Sequence, residues 1–224
     1  ACFVIPIEKN MILQPITLVD TFIFKDSFKG PTYKDRYFPG LMEALNESEK
    51  KKLYFYPTFY GIKNYFKIVR EIKMSDQNFL LKESSLKFSD YFFAYSHFLR
   101  CKKLKLENLK FFEFDLTAII RSKIWSYAFR YNTLEALLLY RVASRFKQKT
   151  IIIERVIDWF ENQVIDHGSN FGFRKSFPEA RIIGYQGYIS PHFYLGLFPT
   201  QIERKSRVLP TEIAVIGKKQ IAAT

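Results

Sequence analysis

The chain has 224 residues, of which 48% are hydrophobic, 25% charged and 18% aromatic, and its formal net charge is +13. A chain of this length buries roughly 70% of the surface that its unfolded form exposes, so its core needs no disulfide or metal to hold it. Cys2 and Cys101 form no CxxC pattern, which excludes a disulfide-rich scaffold and a zinc finger. No apolar run reaches the ~18 residues of a transmembrane helix.

In the first half of the chain, the spacing of apolar residues predicts a mixture of strands and helices. Strands are predicted at residues 3–7, 16–26, 53–56 and 78–82, and helices at 39–48 and 62–72.

The middle of the chain is predicted to be helical. Ser89 is expected to cap a helix over residues 90–101, and the aromatic residues that encircle this helix predict that it is buried. Another helix is predicted over residues 116–127. Asn132 and Glu135 have the spacing of a capping box and open the next helix.

In the second half, β-branched apolar runs stop abruptly at polar residues or glycine. Strands are predicted at residues 156–160, 180–184 and 213–216, with a helix over 166–176. Apolar runs of this kind are typical of parallel strands that are covered on both faces. Because these strands alternate with helices, the sequence predicts an α/β fold with an open, mostly parallel sheet flanked by helices.

Polar side chains follow the strand at residues 156–160. Glu161, Asn162 and Gln163 come directly after it, and ligands of open α/β sheets bind at the carboxyl ends of strands. The two amides can bind sugar hydroxyls, and the carboxylate can act as a general base. The alternative interpretation is that the three residues cap the next helix and satisfy the loop backbone.

The next strand end carries a similar group, Tyr185, Gln186 and Gly187. The glycine permits close backbone approach, and the tyrosine ring offers a face for a sugar or a base. The alternative is a tyrosine that packs at the edge of the sheet.

Three further residues are candidates for anion or substrate binding. Asp166 lies where a helix begins, and helix N-termini bind anions. Glu203 and Arg204 precede the last strand, where an arginine could grip a phosphate or carboxylate. A solvated, charged helix turn is an equally good explanation of Glu203 and Arg204. No HxH or HExxH spacing and no GxxxxGK[ST] loop occurs, so neither a metal site nor a nucleotide cofactor bound by this chain is predicted.

The positive charge favours anionic partners such as nucleic acid, acidic lipid or phosphorylated substrates. Basic clusters lie at residues 50–52, 102–105 and 204–207. The absence of a recognition helix, an RNP motif or a zinc finger from the sequence argues against nucleic acid.

Several of these residues together resemble a known family. The run Asp-Trp-Phe-Glu-Asn-Gln at residues 158–163, Gly-Tyr-Gln-Gly at 184–187, Glu203, and Leu-Pro at 209–210 before the last strand resemble bacterial surface-carbohydrate (O-antigen or capsule) biosynthesis proteins of the GT-B glycosyltransferase type. The resemblance covers roughly the last 70 residues and is thin before them.

The resemblance implies a Rossmann-like, acceptor-side N-terminal domain over residues 1–217, with residues 218–224 beginning an interdomain linker. The nucleotide-sugar donor would then bind in a C-terminal half that follows this chain. The full-length protein would be a glycosyltransferase, and this chain alone would be inactive.

The resemblance also implies roles for the candidate residues. Glu161 would be the base, and Asn162, Gln163, Tyr185 and Gln186 would line the cleft. The partner would be a glycan or lipid-linked glycan acceptor. The protein would be cytoplasmic and could lie peripherally on the anionic inner face of the cytoplasmic membrane. The alternative function is a non-catalytic basic module that binds anionic lipid or glycan, or single-stranded nucleic acid.

Overall fold

The computed structural model describes residues 14–188 and 195–217. The strands are β1 (Ile16–Ile23), β2 (Phe28–Lys29), β3 (Thr32–Tyr33), β4 (Leu53–Phe59), β5 (Lys110–Phe111), β6 (Phe114–Asp115), β7 (Ile153–Trp159), β8 (Arg181–Gln186) and β9 (Glu212–Val215). The α-helices are α1 (Leu41–Ala44), α2 (Glu47–Lys52), α3 (Tyr65–Met74), α4 (Phe88–Tyr95), α5 (His97–Lys102), α6 (Thr117–Ala128), α7 (Tyr131–Gln148), α8 (Val164–Ser176) and α9 (Gln201–Lys205).

Five strands form one sheet in the order β4-β1-β7-β8-β9, and each neighbouring pair is parallel. Helices flank this sheet, so the predicted α/β, Rossmann-like fold is confirmed. The predicted strand at residues 78–82 contributes only an isolated bridge between Phe55 and Phe79. The predicted strand at residues 3–7 lies outside the described residues.

One face of the sheet is covered by α7 and α8. Val142 and Phe146 of α7 and Phe173 of α8 are fully buried against Leu18 and Ile182 of the strands. Each such side chain contributes ~1.5–3 kcal/mol through the apolar surface that it removes from water. This layer fixes where α8 begins relative to the ends of the strands.

Two glycines let α8 approach α7 closely. A Cβ atom at Gly168 would lie 2.2 Å from the backbone oxygen of Ala136, and one at Gly172 would lie 2.8 Å from Cα of Tyr140. Both distances are shorter than a non-bonded contact allows, so the packing of the two helices requires glycine at these positions.

The opposite face of the sheet is covered by α3 and by the segment after β1. Ile68 and Ile72 of α3 pack against Val19 and Phe55 of the sheet. Tyr33, which is also buried in this cluster, donates a 2.8 Å hydrogen bond to Asp35. The loop that follows β1 is therefore held on the face of the sheet opposite to α8.

Residues 88–130 form an excursion, here called the arm, that contains α4, α5, the β5–β6 hairpin and α6. The arm joins the rest of the protein mainly along α7. Asp90 of α4 is completely buried there and accepts hydrogen bonds from Arg145 at 2.8 Å and from Arg141 at 2.7 Å. This ion-pair cluster attaches α4 to α7.

The prediction of one buried helix over residues 90–101 is wrong in three respects. The helix begins after Lys87 rather than after Ser89, and Ser96 separates α4 from α5. The aromatic residues of α4 are also largely exposed, with Phe88 at 86% and Phe92 at 70%. The arm rests on α7 along a narrow contact, so only one side of α4 is covered.

Candidate active-site cleft

The order of the strands places a crevice between the carboxyl ends of β1 and β7. The chain leaves β1 toward one face of the sheet and leaves β7 toward the other, where α8 lies. Crevices at such a reversal are the usual ligand sites of open α/β sheets. In this protein a cleft with a volume of about 530 Å³ opens at that point.

Carboxylates and aromatic rings line the cleft together. The carboxylates are Asp20, Glu135, Asp158, Glu161 and Asp166, and the aromatic residues are Phe22, Phe24, Tyr37, Tyr56, Phe59, Tyr60, Tyr131 and Trp159. Aromatic faces combined with hydrogen-bonding groups suit a ligand that has both apolar surfaces and hydroxyl groups.

Trp159 lies at the centre of the aromatic residues that form an apolar wall of the cleft. Its ring lies 4.5 Å from that of Tyr37 and 5.8 Å from that of Tyr185, measured between centroids. A Cβ atom at Gly187 would lie 2.5 Å from the indole, so a glycine is needed beneath this ring. The close approach that the sequence predicts for Gly187 is therefore made by the indole of Trp159.

Glu161 has its carboxylate fixed by two donors. Oε1 accepts a 2.9 Å hydrogen bond from the indole Nε1 of Trp159, and Oε2 accepts a 2.6 Å hydrogen bond from Nε2 of Gln163. The side chain is half-buried and lines the cleft together with that of Gln163. The carboxylate is thus oriented at the mouth of the crevice and keeps access to it.

Asp166 serves the N-terminus of α8 and lines the cleft as well. Its Oδ2 accepts 2.9 Å hydrogen bonds from the backbone N–H groups of Glu161 and Gln163. The alternative interpretation gave this capping role to Glu161, Asn162 and Gln163, but the side chain that accepts from the backbone here is that of Asp166.

Asn162 and Glu203 belong to a separate network behind the cleft. Asn162 has φ of 55°, its Nδ2 donates to the backbone oxygen of Gly196 at 3.1 Å, and its Oδ1 lies 3.0 Å from Nε2 of His167. The same nitrogen lies 3.6 Å from Oε1 of Glu203. The other oxygen of this carboxylate, Oε2, accepts from the backbone N–H and the hydroxyl of Thr200 and so caps α9. The hydrogen bond from Asn162 holds Gly196 near the N-terminus of α8.

The remaining predicted residues lie outside the lining of the cleft. Tyr185 is paired with Trp159 in the register of the sheet, so the two strand ends emerge at the same edge. Its ring packs 5.5 Å from that of Phe38, and Gln186 is buried. Arg204 is exposed on α9.

Asp20, Tyr56 and Lys82, which are not among the residues predicted from the sequence, form the deep end of the cleft with Asp158. Asp20 interrupts the apolar run of β1, and this is the signal that could have identified it. Lys82 is 5% exposed, and its Nζ donates to Oγ1 of Thr58 and lies 4.6 Å from the centroid of the Tyr56 ring.

Burial alters the acidity of the carboxyl groups in the cleft. It raises the pKa of Asp20 to about 6, although Lys82 acts in the opposite direction. It raises the pKa of Asp166 to about 7 against the hydrogen bonds from Gln163 and Glu161. Burial, followed by the charges of Asp166 and Asp20, raises the pKa of Asp158 well above its ordinary value. Several buried carboxyl groups whose pKa values are raised toward neutral pH are typical of functional sites.

Within residues 14–188 and 195–217, no group of three or more His, Cys, Asp or Glu side chains is arranged to hold a metal ion. No helix in the same residues has the length and apolar composition needed to cross a membrane. No protein-family model matches the chain, and neither the curated proteins nor the solved structures contain a match to it.

Proposed function

We propose that this chain is the acceptor-binding part of a GT-B-type glycosyltransferase that acts in bacterial surface-polysaccharide biosynthesis. The observation that carries the proposal is the cleft at the carboxyl edge of β1 and β7, where aromatic rings and carboxylates face the same space. A sugar ring presents apolar C–H faces to aromatic side chains and hydroxyl groups to carboxylates, so both parts of the lining have a use.

In the proposed reaction, Glu161 accepts the proton of an acceptor hydroxyl. The hydroxyl oxygen forms a bond to the anomeric carbon of a nucleotide-sugar, and the bond from that carbon to the phosphate oxygen breaks. The electron pair of the broken bond leaves on the phosphate. The hydrogen bond from Trp159 orients the carboxylate of Glu161 for this step, and proton acceptance of this kind typically contributes ~10²–10⁴-fold to the rate.

A second depression on the surface supports the proposal that the acceptor carries a phosphate group. It has a volume of about 630 Å³, adjoins the cleft and shares Phe24 and Tyr60 with it. Its charged lining consists of Lys25, Asp26, Arg36, Lys63 and Lys67. A glycan linked to phosphate could place its sugar in the cleft and its phosphate in this basic depression.

Glycosyl transfer by the full-length protein tests the proposal. Glu161→Ala is expected to abolish transfer from a nucleotide-sugar while circular dichroism stays unchanged. The matched control is Glu154→Ala, because Glu154 is an exposed carboxylate near the start of the same strand and lies away from the cleft. Transfer at the wild-type rate by the Glu161 variant would remove this residue from the mechanism.

The basic depression can be tested separately. Lys63→Ser is expected to weaken the binding of a glycosyl phosphate and to leave the binding of the corresponding methyl glycoside unchanged. Equal weakening of both ligands would contradict a phosphate site.

A second function, binding to anionic lipid, is favoured by the surface of the arm. The arm contains eight Lys or Arg residues against four Asp or Glu residues, one of which is the buried Asp90. Large hydrophobic side chains are exposed among these charges: Phe88, Phe92, Tyr95, Leu99, Leu104, Phe111, Phe112, Phe114, Ile119, Trp125, Tyr127 and Phe129. Aromatic and basic residues together suit the interface of an anionic bilayer, which would place the protein peripherally on the inner face of the cytoplasmic membrane.

Vesicle sedimentation tests this second function. The protein is expected to bind vesicles that contain phosphatidylglycerol, to leave pure phosphatidylcholine vesicles unbound, and to dissociate as salt is raised. Phe112→Ser should weaken the binding, whereas Ile202→Ser is the control, since Ile202 is 77% exposed but lies outside the arm. Binding to single-stranded oligonucleotides without binding to vesicles would overturn the lipid interpretation.

A further inference from the structure

The deep wall of the cleft contains a hydroxyl group that lacks a hydrogen-bond partner. Tyr56 is 2% exposed, and its Oη is buried without a partner in the part of the chain that the structure describes. Folded proteins keep few buried polar groups in this condition, because each one has lost its water without compensation. Since Tyr56 lines the cleft, a ligand there can provide the missing partner.

Lys82 lies over the ring of Tyr56, with its Nζ 4.6 Å from the ring centroid, and has N–H groups that are free to donate. Its ammonium group has three N–H donors, and one of them is taken by Thr58. In residues 14–188 and 195–217, no carboxylate lies within salt-bridge distance of its Nζ. A buried cation of this kind can donate to a ligand that enters the deep end of the cleft.

The charge of the cleft is opposite to that of the chain as a whole. Five carboxyl groups and one ammonium group line the cleft, whereas the complete chain has a net charge of +13. Although burial keeps part of the Asp20, Asp158 and Asp166 carboxyl groups protonated near neutral pH, carboxyl groups still outnumber the single ammonium group. A carboxylate on a ligand would therefore meet mainly like charges in a partly buried site, where water screens them weakly. A hydroxyl or an ammonium group would instead find acceptors.

We propose that the deep end of the cleft is a subsite for a sugar ring that is neutral or carries an amino group, and that it rejects a uronic acid. The inference rests on the glycan-binding function proposed above and names the class of sugar. Tyr56 and Lys82 hold ring hydroxyls, and Asp20 accepts a hydrogen bond from a further hydroxyl or from the ammonium of an amino sugar. Trp159 and Tyr37 provide the apolar wall.

Binding of three matched glycosides to the 224-residue chain tests the subsite. Methyl glucoside, methyl glucosaminide and methyl glucuronide share one ring and differ in charge, and their affinities can be compared by ligand-observed NMR titration. The glucuronide is expected to bind at least about tenfold more weakly than either of the other two, which is the effect of one unfavourable charge contact.

Tyr56→Phe gives two readouts of opposite sign. It should weaken the binding of methyl glucoside about tenfold, the change that follows from losing one hydrogen bond. It should also raise the Tm of the ligand-free protein, because it removes the hydroxyl that lacks a partner. Tyr54→Phe is the matched control, since Tyr54 lies on the same strand and outside the cleft, and it should change the affinity for none of the glycosides.

Each outcome distinguishes the two proposals. If no glycoside binds, both the glycan-binding function and the subsite are overturned. If the glycosides bind but Tyr56→Phe leaves their affinities unchanged, or if the glucuronide binds best, only the subsite is overturned.

Discussion

The indole of Trp159 donates its N–H to Glu161, two residues further along the chain, over 2.9 Å. One side chain of β7 thereby forms the apolar wall of the cleft and also fixes the direction of the carboxylate at its mouth. The contact connects ligand binding with the proposed chemistry.

Trp159→Phe should separate these two roles. Phenylalanine keeps an aromatic ring near Tyr37 and loses the N–H, so kcat for the proposed sugar transfer should fall about tenfold while KM changes little. The control is Trp125→Phe, since Trp125 lies on the arm. A rise in KM with unchanged kcat would show that Trp159 binds the substrate without positioning Glu161.

Asp158→Asn should stabilise the protein, and the gain should grow with pH. Asp158 is buried, accepts a 3.2 Å hydrogen bond from Asn170, and has a raised pKa. The unfolded chain loses this proton near pH 4, whereas the folded protein retains it, so the wild type loses stability as pH rises from 4 toward the folded pKa. Asparagine has no charge to bury. Thermal unfolding at pH 5 and pH 8 should show the larger gain in Tm at pH 8, and an equal gain at both would contradict the raised pKa.

Asp90→Asn should destabilise the protein by about 3–5 kcal/mol, because it leaves the buried Arg145 without its charge partner. Burial opposes the ionisation of Asp90, but hydrogen bonds from Arg145, the backbone of Lys87 and Arg141 lower its pKa to about 2. The stabilisation is therefore complete above pH 4 and is lost as pH falls toward 2.

Denaturant unfolding from pH 6 to pH 2 can follow this loss. The wild type and Asp90→Asn should converge in stability at the acidic end. Asp26→Asn breaks an exposed ion pair with Arg36 and should cost less than about 1 kcal/mol at every pH. A constant difference between the wild type and Asp90→Asn down to pH 2 would contradict the lowered pKa.

Gly168→Ala should destabilise the protein by about 1–3 kcal/mol or more, because the added methyl group collides with the backbone of Ala136. Gly196→Ala is the matched control, since a Cβ atom there meets no atom within 4 Å. Denaturant unfolding measures both variants. If the two variants have the same free energy of unfolding, α7 and α8 can move apart to accommodate the methyl group without loss of stability.

The sheet could be predicted from the sequence because its buried strands are apolar and β-branched, and because they end abruptly at residues such as Glu161 and Gly187. The order of the strands could not, since the position of β1 between β4 and β7 depends on pairing between distant segments. The meeting of Asp20, Tyr56 and Lys82 at one site could not be predicted for that reason. They come from three separate segments and become neighbours only through this pairing.

The exposure of α4 was not predictable from its composition. Because Phe88 and Phe92 are hydrophobic, the sequence favours their burial. Whether other residues cover them depends on how the arm packs on α7. The roles of Asn162 and Glu203 were uncertain for a related reason, because their partners Gly196 and His167 lie in other elements.

The contact of Gly168 and Gly172 with α7 has a consequence for dynamics. Because backbone meets backbone there, with no side-chain rotamers to adjust, α8 and the cleft residues of its first turn should move as one rigid unit with α7. The α8 residues that line the cleft would then be ordered before a ligand binds, so binding would cost little conformational entropy of the protein. Amide hydrogens of α8 should accordingly exchange with solvent slowly, and those of the arm, which has few buried contacts, should exchange quickly.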